Sequence, residues 1–198
     1  MRIKSNWFKE GREHTPQEIS DALAFVVSRI ANNALQNTRK AKFEVETGTQ
    51  YFDFLAEFLL FLILSADRIA YRDLSEENRH VFTGNLANRV AETYAENRSR
   101  LLAENQDYCK QSFIDLLNQR AGEYADFGYD EKGPDYGFYR YLAYCIGEVM
   151  SDADSSWIID QMISFEAPEA VQMVERTLRG LYETEPKPKR RRAVSGGD

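Results

Sequence analysis

Residues 51–74 read YFDFLAEFLLFLILSADRIAYRDL, and the distribution of apolar residues within them decides the fold. Wound as a helix, the stretch is apolar around its whole circumference, yet it carries Asp53, Glu57, Asp67 and Arg68. A helix of that kind belongs in the middle of a bundle. Its longest run without a charged residue is Phe58 to Ala66, whereas a bilayer span needs about 18 or more apolar residues in succession. The expected fold class is all-α: a single-domain bundle of six to seven helices around a buried central helix at about residues 50–71.

Helix signals extend outward from this segment. Thr15-Pro16-Gln17-Glu18 places a capping threonine, a proline at the first helical position and a glutamate at the third, which form a capping box. The helix that follows is expected to reach about Thr38, with Ile19, Leu23, Val26 and Ile30 on a seam that continues to Asn33 and Asn37. An asparagine in an apolar seam can fix register between two copies, so Asn33 is an interface candidate. Thr47 or Thr49 is expected to cap the central helix, and Ser75-Glu76-Glu77 to open the next, with its acidic groups at the positive end of the helix dipole. Phe82, Leu86, Val90, Tyr94 and Leu101 give that helix its inward stripe, and Phe113, Leu117, Ala121 and Tyr124 line the one after. Residues 128–137, GYDEKGPDYG, hold three glycines and a proline and predict a loop. A fifth helix through Phe138, Leu142, Cys145 and Val149, a short sixth through Trp157 and Met162, and a last one with Pro168 near its start complete the chain.

At 198 residues, 43% hydrophobic and 29% charged, the chain can bury a core without disulfide or metal support. The expected organisation is a lead-in at 1–14 docking on the body, a helical domain at 15–183 and a disordered basic tail at 184–198. The last sixteen residues carry five basic and three acidic groups, so the first 182 hold a net charge of −9 within an overall −7. A body that acidic repels nucleic-acid phosphate. Nucleic acid is therefore expected, if at all, only at Lys187, Lys189, Arg190, Arg191 and Arg192. Cys109 and Cys145 make no metal-type spacing, and the first residues do not resemble a secretory signal, so the expected compartment is the cytoplasm.

No catalytic set assembles from the sequence. Asp53 and Glu57 lie four apart on one helical face, where they can bind a cation or meet an arginine such as Arg29, Arg89, Arg120 or Arg140. Together with His80, whose imidazole titrates near neutrality, they are the candidate ligand-binding residues. A bundle di-iron site needs two Glu-x-x-His pairs, and the chain has one, Glu77 to His80, so neither a metal nor any other cofactor is expected. Cys109 falls in the first turn of a helix, where the dipole favours a thiolate, while Cys145 sits on an apolar stripe. Tyr136, Tyr139 and Tyr141, in a cluster with Phe138, Arg140 and Tyr144, are of the residue type enriched at protein contacts. The expected function is thus a non-enzymatic interaction or oligomerisation module that binds itself or another protein. A bundle holding a metal ion or small apolar ligand beside the central helix is the alternative, and a nucleic-acid accessory acting through the tail is the third.

Overall fold

Helix α1, Pro16–Lys40, begins with the reciprocal bonds its sequence calls for. The Glu18 amide donates to Thr15 Oγ1 at 3.2 Å, and the Thr15 amide donates to Glu18 Oε2 at 3.1 Å. This is a computed structural model that describes residues 14–150 and 155–182. The bulk of the lead-in, including Trp7 and Phe8, the 151–154 segment and the basic tail from 183 lie outside the described residues.

The buried face of α1 is Ile19, Leu23, Val27, Ile30, Ala31, Ala34, Leu35 and Thr38. Val26 is only partly buried and Asn33 is exposed. An alternation of three- and four-residue steps averages 3.5, while the helix turns every 3.6, so a seam written that way drifts off the buried face by about 20° per heptad. Asn33 thus stands outside the apolar seam. That seam is consumed within the chain by α2, Thr49–Asp73, α3, Glu76–Leu102, and α7, Ala167–Tyr182.

Helix α2 is the axis of the fold. Every residue from Phe54 to Ile63 is buried, and the helix packs on α1, α3, α4 (Gln106–Tyr124), α5 (Tyr136–Val149) and α7. Five neighbours leave its middle no solvent face, which is why Phe54 to Ile63 is apolar nearly all round. Its N-cap is Gly48 at φ +103° with no side-chain bond, in place of the expected threonine. Ser75 opens α3 as expected, accepting from the Asn78 amide, and Asn105 caps α4 by accepting from the Tyr108 amide. The buried stripe of α3 ends at Tyr94 and Ala95: Leu101 is 68% exposed, and the helix closes on Ala103 in the left-handed region at φ 55°.

The 128–137 loop is firmly tied. Tyr129–Asp130 pairs with Gly133–Pro134 in a two-residue ladder, and Gly133 supplies the turn at φ +107°. Asp135 then caps α5 by accepting from the Phe138 amide at 2.8 Å, while its other oxygen accepts from the Gly128 amide at 2.7 Å. The last two helices are not separated by a break. Helix α6, Ser155–Gln161, passes through a π-helical turn, Met162–Glu166, straight into α7. Pro168 has no N–H and its ring crowds the carbonyl four residues earlier, so the wider turn, in which the Ala167 amide donates to Met162, absorbs the proline without ending the helix.

Candidate functional site

Asp53 and Glu57 face a groove of about 420 Å³ enclosed by α2, α3, α4 and α5. Each carboxylate meets an arginine from a different neighbour. Arg120 of α4 donates from Nε and Nη2 to the two oxygens of Glu57, at 2.9 and 2.6 Å, and from Nη1 to Glu123 at 2.7 Å and to the Tyr141 hydroxyl at 3.2 Å. Arg98 of α3 donates from Nη1 to Asp53 at 3.0 Å and to the Tyr94 hydroxyl at 2.9 Å, and from Nε to Glu104 at 2.8 Å. Bidentate pairs of this kind are among the stronger charge-assisted bonds. They hold both guanidiniums more firmly protonated than usual, chiefly through Glu104 for Arg98 and Glu57 for Arg120.

The two networks differ in how closed they are. The Glu57 side chain is 9% exposed and spends both oxygens on Arg120, whereas Asp53 is 48% exposed and spends only Oδ1. Burial pushes the Glu123 carboxyl up, but the Tyr141 hydroxyl, the Gln119 amide and Arg120 together hold it down at about 2. Both cysteines line the groove. Cys145 is pushed up to about 12, mainly by burial. Cys109 is also raised, by burial and then by its contact with Glu104, whose carboxylate accepts from the thiol at 3.3 Å. The thiolate expected at the start of α4 is therefore disfavoured: at 2% exposure, desolvation and a facing carboxylate outweigh the helix dipole.

His80 does not join this groove. It sits beside Glu76 at 3.9 Å with its side chain 78% exposed, at the end of α3 where Arg79 bonds Asp67. Eighteen residues of helix, or about 27 Å, separate it from Arg98. Among the described residues, no three His, Cys, Asp or Glu side chains converge to hold a metal ion. Asn33 lines a separate groove of about 290 Å³ between α1 and α7, next to the buried Glu166, which accepts from Asn37 and Gln161.

The three tyrosines divide. Tyr139 packs its ring on Phe61 at 6.3 Å, Tyr141 is held in the Arg120 network, and Tyr136 is 66% exposed. Tyr144, two turns beyond Tyr136 on the same face of α5, is 55% exposed. Between them lies Arg140, and the face borders an apolar groove of about 320 Å³ lined by Phe127, Gly137, Arg140, Tyr141, Tyr144 and, from α6, Ile159. Gly137 lets this wall form, since a β-carbon there would lie 2.7 Å from the Phe127 ring.

Arg98 and Glu148 are the residues that sequence reasoning passed over. Arg98 had a signal, since it follows Tyr94 by four residues and so continues the inward stripe of α3 better than the exposed Leu101. Of the arginines proposed as partners, Arg120 serves; Arg89 goes to Asp21, Arg29 lies over Phe25, and Arg140 faces out. Among the described residues no helix is long and apolar enough to cross a membrane. Compared with known proteins, the chain matches no family model, no curated protein and no solved structure.

Proposed function

We propose that the chain is a non-enzymatic helical interaction module that binds protein through the outer face of α5. One observation carries this reading: Tyr136, Arg140 and Tyr144 stand exposed in a row beside an apolar groove, on a helix whose opposite face is core. Tyrosine and arginine are enriched at protein interfaces, and an exposed apolar surface rimmed by polar groups is characteristic of a contact site. The ionic networks around Asp53 and Glu57 fit a structural role beneath that face, because they fasten α2 to α3 and α4 and leave the arginines little capacity for a ligand. The test is a photo-reactive phenylalanine analogue in place of Tyr136, with the same analogue in place of the exposed Asn88 on α3 as control. Cross-linked protein from position 136 alone is the expected result; none from 136, or equal yield from both, overturns the reading.

A second reading is kept open by the groove at Asp53. Among the described residues Asp53 Oδ2 and the Glu148 carboxylate are unengaged there, beside Phe113, Leu116 and Val149, so an organic cation with an apolar body suits it better than a metal. Native mass spectrometry against a denatured control tests it: an adduct lost on denaturation supports this reading, and a bare mass opposes it.

A further inference from the structure

Helix α5 carries Tyr136, Arg140, Tyr144 and Glu148 at four-residue intervals, and all four are exposed. The arginine of this stripe is unusual among the described residues, and the glutamate is one of several exposed carboxylates that have no partner there. Every other described arginine except Arg179 makes a hydrogen bond, an ion pair or a ring contact, whereas Arg140 makes none among the described residues, and Glu148 likewise has no partner among them. The two cannot satisfy each other: eight residues of helix put them about 12 Å apart along the axis.

Resting on the reading that this face binds protein, we infer that its partner is a second copy of the chain, with the two α5 helices packed antiparallel about a twofold axis at Tyr144. Arg140 and Glu148 lie four residues to either side of Tyr144, about 6 Å along the helix. A twofold axis there brings Arg140 of each copy against Glu148 of the other and sets Tyr144 on its own mate. Such an isologous contact is self-complementary, and it uses up the face, so association closes at two. A parallel arrangement sets arginine on arginine and glutamate on glutamate, so charge selects the antiparallel one. The net charge of −7 opposes indiscriminate self-association and gives more weight to a contact that pairs opposite charges. One helix face is a small interface, so the dimer falls in the weak, concentration-dependent class.

Sedimentation of the full chain over a wide concentration range tests this, using Arg140→Glu, Glu148→Arg, their equimolar mixture and the doubly substituted R140E/E148R chain. Both positions are exposed, so unchanged thermal unfolding serves as the control on folding. The wild type is expected to form dimers, each single variant to dimerise at least tenfold more weakly, and the mixture and the double variant to recover. Single variants that dimerise like the wild type, or a mixture that stays monomeric, overturn the pairing. A wild type monomeric throughout, with cross-linking from position 136 to a different protein, overturns the self-pairing and leaves the interaction reading standing. Absence of both removes the two together.

Discussion

Arg120 grips the Glu57 carboxylate through two bonds, Nε to Oε2 at 2.9 Å and Nη2 to Oε1 at 2.6 Å, at the central helix of the bundle. Removing only the arginine leaves a carboxylate in a site 9% exposed with nothing to compensate it. Arg120→Ala is therefore expected to cost about 3–5 kcal/mol of stability, while replacing both partners with similar-sized apolar residues, as in Glu57→Leu with Arg120→Met, is expected to be near neutral or stabilising. Urea unfolding of the three chains measures this. Equal losses in the single and double variants would mean that the site needs its charge pair and not merely its volume.

Glu166 gives a pH dependence of known sign. It is 6% exposed in the π-helical turn, and burial raises its pKa above the usual 4.5, against the lowering effect of the Gln161 and Asn37 amides. A carboxyl whose folded pKa is raised contributes stability that is full below the unfolded value and is lost as pH rises through the folded value. Glu166→Gln is thus expected to raise the melting temperature at pH 7, with the advantage shrinking toward pH 4. Glu123 has the opposite sign: held at about 2, it supports the fold above pH 4.5, and that support fades between 4.5 and 2. Melting curves across pH 2–8 separate the two, since only the alkaline limb should respond to Glu166→Gln.

The all-α fold is legible in the sequence because burial writes itself into periodicity. Residues 51–74 are apolar all round because five helices surround them, and Thr15 and Ser75 mark helix starts because unsatisfied amides demand acceptors. Three features were beyond it for specific reasons. Gly48 replaces a threonine cap because a backbone turn at φ +103° starts α2 without any side chain. Pro168 reads as a helix start, yet a π turn carries the helix past it. The choice of Arg98 and Arg120 among many arginines depends on how helices cross, which no spacing within one helix encodes. The α5 face is legible in part: Tyr136, Arg140 and Tyr144 belong to a cluster of contact-type residues, whereas Glu148 is simply what the buried stripe Phe138, Leu142, Cys145 leaves over.

Both thiols should be slow to modify in the folded chain. Cys109 and Cys145 are each 2% exposed and their pKa values are raised by burial, so thiolate is scarce and access is poor. Labelling with an aromatic disulfide at pH 7.5 is expected to follow unfolding, accelerating steeply as urea approaches the midpoint. Prompt labelling of one thiol in native buffer would show that the Asp53 groove opens without global unfolding.

Gly137→Ala probes the groove on α5 directly. Alanine in place of a helical glycine normally gains up to about 1 kcal/mol. Here the new β-carbon would lie 2.7 Å from Phe127 Cδ1 and 3.2 Å from Asp135 Oδ1, the atom that caps the helix. Overpacking of this kind costs about 1–3 kcal/mol, so the clash outweighs the helix gain and a net loss in thermal stability is expected. Because Phe127 and Gly137 both line the apolar groove, the ring must swing toward it, and cross-linking from position 136 should fall along with stability. Shortening the ring in the same chain, as Phe127→Leu with Gly137→Ala, relieves the contact and should recover part of the melting temperature. A Gly137→Ala chain that is more stable than the wild type would mean that Phe127 has room to withdraw and that the groove wall is adjustable.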